Sequence, residues 1–379
     1  IEDVYNYSFG FSVDASLLRG RGIDATGAAE RAALIDLEAS TFVLKHTASV
    51  ATLSTVSAYW NLVSAIEQLD IAKKSAQLSD KRVEVTNALI AGDELPKAEL
   101  ARVLASQASD QGSVYGAERA VNEARVSLAR AMGLSILEEA NAPLAADPFP
   151  ALPDAPALRS AVASDLIATA VQRRYDRQAA MKLVESGSVL LRQAETDLRP
   201  LLDLHSQVSG GAVGETHLSR TSQGWSAPSF SLSFDFEKPL HNDAAKGRLL
   251  QKDAGLVQRS ITAADLDRNI KANVVQILRS LQETADQVQK ARAAVEYYGR
   301  TIENENEMYR GGQTSLIDTI LTQQLQTSAL SAYAVARQSY ATLLAQLRFE
   351  TGTIVREEAS GNSVNRDDLV TLPSPAKSN

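Results

Sequence analysis

Residues Ala28–Ala91 read AAERAALIDLEASTFVLKHTASVATLSTVSAYWNLVSAIEQLDIAKKSAQLSDKRVEVTNALIA, 64 residues without a glycine or a proline. Charged residues such as Glu30, Lys45, Glu67 and Lys73 are spread among apolar ones at helical spacing, which predicts one unbroken helix. At 1.5 Å per residue such a helix is roughly 95 Å long, far beyond the helices of an ordinary globular domain. Two apolar stripes step along its middle by threes and fours, one through Val56, Trp60 and Val63, the other through Tyr59, Leu62, Ile66 and Leu69. A helix with two stripes packs against neighbours on two sides, as in a coiled-coil assembly.

Downstream, Gly92-Asp93-Glu94-Leu95-Pro96 interrupts the pattern, and Lys97 to Met132 resumes it, weakened at Gly112 and Gly116 and ending at Gly133. This predicts a helical hairpin, with Gly92 as the residue whose positive φ closes the turn. The second half repeats the plan. A helical region from Gln251 breaks at Gly311-Gly312-Gln313-Thr314-Ser315 and returns to Gly352 with Ala329, Tyr333, Ala336, Tyr340, Leu343 and Leu347 at heptad spacing. Asp14 and Asp235 are 221 residues apart, Gly92 and Gly312 220, Gly133 and Gly352 219, so the chain reads as an internal duplication. The organisation expected is a strand over 1–16, a first hairpin repeat over 17–133 with its tip near 92–96, and a Pro-rich linker over 134–160. A helix over 161–199, two strands over 200–237 around an exposed loop at 209–228, a second hairpin repeat over 238–352 with its tip near 311–315, and a polar tail over 353–379 complete it.

The strand segments have a different period. Tyr5, Tyr7, Phe9, Phe11 and Val13 alternate with small polar residues, and Phe230, Leu232, Phe234 and Phe236 alternate with Ser231, Ser233 and Asp235. A weaker segment runs through Leu202, Leu204, Ser206 and Val208. The same alternation suits a half-buried strand of a soluble sheet, but these strands lie between helices too long for a compact domain. A barrel strand with lipid on one face and water on the other fits that context. No apolar run reaches the ~18 residues of a membrane helix, so any bilayer crossing would be made by strands. On this reading Phe9, Phe11, Phe230, Leu232, Phe234 and Phe236 face lipid, and Ser8, Ser12, Ser231 and Asp235 face the lumen. The fold class expected is mainly α with a small β part.

Composition excludes several function classes. The net charge is −8 and no Lys/Arg stripe interleaves with aromatics, which argues against a nucleic-acid surface. Without cysteine there is no disulfide, thiol nucleophile or Cys-based metal site. His46, His205, His217 and His241 stand in unrelated contexts without metal-ligand spacing, so each is expected to be an exposed or loop histidine. Gly210-Gly211-Ala212-Val213-Gly214-Glu215-Thr216 has Glu215 where a phosphate loop needs its lysine, and a strand rather than a helix follows. No enzyme activity, cofactor or metal is expected. The opening at Ile1, in mid-strand and without Met or a signal peptide, predicts a processed or truncated start.

Several short motifs, in order and spacing, resemble the outer-membrane efflux proteins, the TolC-like ducts, over nearly the whole chain. They are Ala58-Tyr59-Trp60-Asn61-Leu62 in the first long helix, Leu198-Arg199-Pro200-Leu201-Leu202-Asp203-Leu204 entering a strand, Pro239 after the third strand, Leu17-Leu18-Arg19-Gly20 after the first, and the turn from Tyr309 to Ser315 followed by Asp318. The resemblance implies a homotrimer. In it, four strands per protomer would form a twelve-stranded outer-membrane barrel, continued by a periplasmic α-barrel of coiled-coil hairpins. It implies a passive channel for tripartite efflux or type I secretion, set in the bacterial outer membrane with most of the chain in the periplasm. An inner-membrane pump and a periplasmic adaptor would be its partners, the adaptor docking on tips formed by Gly92, Asp93, Glu94, Gly311, Gly312, Gln313, Thr314 and Ser315. It also implies a pore gate at Asp318 and Tyr309, with Leu321 where a second acidic ring can sit. The competing reading from a different class is a soluble coiled-coil scaffold.

Overall fold

The computed structural model describes residues 5–134, 145, 147–152, 162–214, 227–310, 313–358 and 361–373. The chain divides into two compact units, Ile1–Val43 with Asp176–Asp267, and Leu44–Tyr175 with Arg268–Asn379. Among the described residues no helix is long and apolar enough to cross a membrane.

The first unit holds strands β1 (Tyr5–Ser16), β2 (Leu201–Gly214) and β3 (Ser229–Glu237), the short helix α1 (Ile23–Thr26) and most of α5 (Tyr175–Thr196). It also holds the first turns of α2 (Ala28–Ala91) and of α6 (Asp243–Arg310). The strands form one antiparallel sheet in the order β1-β2-β3. Beside it, Ala28 and Ala32 of α2 bury against Val189 of α5. Small residues set this close approach: a Cβ on Gly187 would meet Leu256 Cδ1 of α6 at 3.2 Å. Lys182 Nζ reaches Glu38 at 2.8 Å and Arg177 Nε reaches Asp267 at 2.8 Å, tying α5 to α2 and to α6.

The second unit contains the remainder of α2 and α6, together with α3 (Ala98–Ala131), α4 (Ala163–Arg173) and α7 (Leu316–Glu350). A small hairpin, β4 (Arg356–Glu358) with β5 (Gly361–Ser363), and the short helix α8 (Arg366–Leu369) complete it. The two stripes of α2 take different partners. Ala58, Leu62 and Ala65 bury with Val121 and Leu128 of α3, while Val56, Trp60 and Val63 bury with Ala341 and Ala345 of α7 and with Phe149. Ala329, Ala336, Tyr340 and Leu347 of the predicted heptad are buried, and Tyr333 and Leu343 are half-buried. Polar ties fix the register of α2 against both neighbours: Gln107 donates to Asp80 at 2.8 Å, and Arg337 donates to Glu67 at 2.6 Å.

The helix pairs match in length, 64 and 34 residues for α2 and α3 against 68 and 35 for α6 and α7. Their ends match too. After α3, Gly133 (φ +73) donates to Arg130 O and Leu134 to Ala129 O; after α7, Gly352 (φ +66) donates to Phe349 O and Thr353 to Arg348 O. Both are Schellman caps, which satisfy the last carbonyls of a helix through a left-handed residue.

In five places the structure departs from the sequence reading. At the first tip the left-handed residue is Asp93 (φ 60), not Gly92: Glu94 donates to Leu89 O and Asp93 to Ile90 O, which shifts the cap one residue on. Aspartate tolerates this conformation because its short polar side chain bonds locally. β2 continues through Ser209–Gly214, where a loop was expected, because β1 pairs with it as far as Gly214 and Gly210 leaves room for the Phe9 ring, whose atoms would lie 3.0 Å from a Cβ. The helix over 161–199 is two helices, parted where Arg174 is extended (ψ 121), because its buried guanidinium is drawn to Glu350 and lies 5.2 Å over the Phe349 ring. α6 begins at Asp243 rather than Gln251, as Gly247 and Gly255 are tolerated inside it. The tail is not merely polar: Ile354 and Val355 are buried, and Leu369 and Val370 pack on the Trp60 cluster. The linker residues 135–144, 146 and 153–161 and the loop residues 215–226, which include His217, lie outside the described residues, as do Gly311 and Gly312.

Candidate functional site: a two-faced sheet and the helical tips

The register of the sheet sorts its side chains. β1 pairs with β2 so that Phe9, Phe11, Val13 and Ala15 stand opposite Gly210, Val208, Ser206 and Leu204, and β2 pairs with β3 so that Leu202, Leu204, Ser206 and Val208 stand opposite Phe236, Phe234, Leu232 and Phe230. Directly paired residues share a face. One face is therefore almost wholly apolar, and the other carries Ser8, Ser12, Asp14, Asp203, His205, Gln207, Ser231, Ser233, Asp235 and Glu237. The apolar face is uncovered: Phe9 is 45% exposed, Phe11 75%, Phe230 66%, Leu232 52%, Phe234 58% and Phe236 65%. At roughly 25 cal/mol per Å² of apolar surface, leaving six such side chains in water costs on the order of 10 kcal/mol relative to an apolar surrounding. The outer strands β1 and β3 each present an unpaired edge among the described residues.

On the polar face His205 bridges all three strands. Its Nδ1 lies 2.6 Å from Asp14 Oδ1 and its Nε2 lies 3.3 Å from Asp235 Oδ2, with Asp203 opposite Asp235 on the same face. A ring with both nitrogens against carboxylates donates from both only as the imidazolium. Among the described residues no group of His, Asp and Glu is arranged to hold a metal ion. The other described histidines differ: His46 meets the Phe349 ring at 5.8 Å, and His241 is exposed.

At the helical tips Gly92, Asp93, Glu94, Gln313 and Ser315 are exposed and Thr314 is half-buried. Gln313 donates to Met308 O at 2.8 Å, closing the end of α6. Ser315 and Asp318 form a capping box at the start of α7: the Ser315 hydroxyl accepts from the Asp318 N–H, and Asp318 Oδ2 accepts from the Ser315 hydroxyl at 2.6 Å and from its N–H. The Ser315 hydroxyl, then its backbone N–H, holds the exposed Asp318 carboxyl below the usual aspartate value. Tyr309 is half-buried against Val103, Leu316 and Ile320, and that burial, with Glu99 nearby, raises its phenol above the ordinary value while Arg82 opposes the shift. Below it Arg82 donates to Gln323, and Thr322 donates to Glu305 at 2.8 Å.

No protein-family model and no curated protein matches this sequence. Solved structures do. The CmeC outer membrane channel of Campylobacter jejuni superposes with a TM-score of 0.71 at 16% identity, over 92% of this chain and 78% of that one. The outer membrane protein VceC of Vibrio cholerae gives 0.71 at 14% identity, over 93% and 87%. The MtrE outer membrane channel of Neisseria gonorrhoeae gives 0.66 at 17%, over 93% and 81%. The chain has the TolC-like outer-membrane channel fold.

Within this TolC-like fold, the sequence-predicted apolar set comes together on one sheet face, and Asp318, Ser315 and Thr314 come together in one helix cap. Tyr309 and Asp318 do not contact each other in any hydrogen bond of the described residues: Tyr309 packs inward and Asp318 is exposed. Sequence reasoning missed two groups. The capping box was written in the order Ser315-x-x-Asp318 ahead of an apolar run, a signal that could have found it. The His205 cluster had no such signal, because only the pairing of Asp14 with His205 brings those residues together.

Proposed function

We propose that this chain is one protomer of a passive outer-membrane channel, a homotrimer that lets solutes pass from the periplasm to the exterior and does no chemistry of its own. The observation that carries the reading is the sheet: its strands share one register, with an exposed apolar face, a polar face and open edges. Lipid removes the cost of the apolar face, and closure against further strands removes the edges, which a bilayer does not tolerate. Copies of the chain supply such strands. The likeness to proteins described as outer membrane channels supports the same reading.

The finer assignments rest on this one. The tips at Gly92–Glu94 and Gly311–Ser315 would receive a periplasmic adaptor that links the duct to an inner-membrane pump, in tripartite efflux or type I secretion. Asp318 and Tyr309 would narrow the periplasmic entrance, three Asp318 carboxylates attracting cations there. Full-length protein reconstituted in a planar lipid bilayer tests the proposal. Stepwise conductance of an open pore is expected, with recovery from cells in the detergent-extracted membrane fraction. Protein that stays in the aqueous fraction and gives no conductance would instead favour the coiled-coil scaffold.

A further inference from the structure

The second unit contains a cavity of about 1180 Å³ that the channel reading does not use. Its walls come from α2, α3, α7, the segment Asp147–Leu152 and the C-terminal residues 366–372. This is somewhat above the usual size of small-molecule sites, about 300–1,000 Å³. Aromatic rings form one side: Trp60 stacks on Phe149 at 5.7 Å and 29°, and Tyr59 meets Trp60 edge-on at 5.1 Å. Val56, Leu128, Leu369 and Val370 add apolar surface.

One polar group in these walls is buried without a partner, and a second makes no hydrogen bond among the described residues. Trp60 is 4% exposed, and its indole Nε1 has no partner. The second is the hydroxyl of Tyr340, a residue 2% exposed that lines the cavity and whose phenol is shifted by burial alone, with no hydrogen bond contributing. Native structures seldom leave a buried donor such as the Trp60 Nε1–H unpaired. The charged groups, by contrast, are engaged or outside: Asp147 accepts from the Tyr59 hydroxyl at 2.6 Å and pairs with Arg366, and Asp367 is exposed.

We propose that this cavity binds a small, uncharged, aromatic molecule that carries a hydrogen-bond acceptor such as a carbonyl or ether oxygen. The stacked rings supply the apolar contact, and the Tyr340 hydroxyl supplies a donor. Burial pushes the Tyr340 phenol up to about 12, so it keeps its proton at neutral pH. With Asp147 and Arg366 neutralising each other, an ion would enter without a counter-charge, which selects against charged ligands.

The test uses this chain reconstituted in lipid vesicles, which add no tryptophan, with 7-methoxycoumarin as the probe. Trp60 and Trp225 are the only tryptophans of this sequence, so in this chain Trp225→Phe leaves Trp60 as the sole tryptophan reporter, set in the cavity wall. Saturable quenching of Trp60 is expected. Ala151→Phe, which puts a ring into the cavity from an exposed wall position, should abolish the saturable part and leave only the linear background from probe in lipid. Tyr340→Phe keeps the ring and should weaken binding about three- to tenfold. Quenching that never saturates, that survives Ala151→Phe, or that has the same affinity in Tyr340→Phe would overturn the proposal and leave a water-filled crevice. Helical circular dichroism equal to that of the parent shows that each variant is folded.

Discussion

Replacing Gly352 with alanine separates two costs that the structure places on one residue. Its φ of +66 is the left-handed region, where a side chain costs about 1–2 kcal/mol. A Cβ there would also lie 2.9 Å from the Arg173 carbonyl carbon and 3.0 Å from Arg174 N, both backbone atoms at the break between α4 and α5. That backbone cannot simply retreat, since the Arg174 side chain is held by Glu350 and by the Phe349 ring. Overpacking of this kind adds about 1–3 kcal/mol. Gly352→Ala should therefore destabilise by about 2–5 kcal/mol in all. Gly133, in the matching cap, supplies the control: its φ is +73 but a Cβ would meet nothing within 4 Å, so Gly133→Ala should cost only about 1–2 kcal/mol. Urea unfolding followed by helical circular dichroism measures both. Equal losses would refute the close approach at Arg173, and no loss in either would refute the left-handed caps.

At the first tip, Asp93→Gly should leave the urea midpoint unchanged or raise it and Asp93→Val should lower stability by about 1–2 kcal/mol, whereas Gly92→Ala should be tolerated because only Asp93 is left-handed. Arg174→Met should cost about 3–5 kcal/mol by removing the guanidinium that neutralises Glu350, a side chain at about one-tenth exposure, and the double variant Arg174→Met/Glu350→Leu should recover most of the loss in a double-mutant cycle. Asp318 has a folded value depressed by Ser315, so its contribution to the α7 cap is present at neutral pH and is lost as pH falls through that lowered value, below the ordinary 3.8. Asp318→Asn should remove that acid-side change from the unfolding midpoint measured against pH, and an unaltered pH profile would show that the capping box contributes nothing.

Much of this architecture was legible because it rests on periodicity. A glycine-free, proline-free run marked α2, alternation marked β1 and β3, and the two stripes of α2 foretold packing on two sides, which the structure fills with α3 on one and α7 on the other. What was not legible depends on residues distant in sequence. Arg174 breaks a helix through its side chain's attraction to Glu350, 176 residues away, and nothing near Arg174 announces it. The C-terminal residues look polar, yet Leu369 and Val370 find Trp60 and Phe149. Asp93 takes the left-handed place beside a glycine that seemed the obvious choice, because the last turn of α2 ends one residue later than the glycine suggests. Of the candidate site, the apolar sheet face followed from period two alone, while the histidine bridge required the register.

The central claim is that this sheet stands between lipid and water, and site-directed spin labelling along β3 tests it most directly. The chain has no cysteine, so each single cysteine introduced from Ser229 to Glu237 gives a unique label. In proteoliposomes, labels at Phe230, Leu232, Phe234 and Phe236 should be accessible to oxygen dissolved in lipid, and labels at Ser231, Ser233 and Asp235 to a water-soluble nickel chelate, with the two profiles out of phase at period two. Uniform access to the nickel chelate along the strand, or alternation of the opposite phase, would contradict the account.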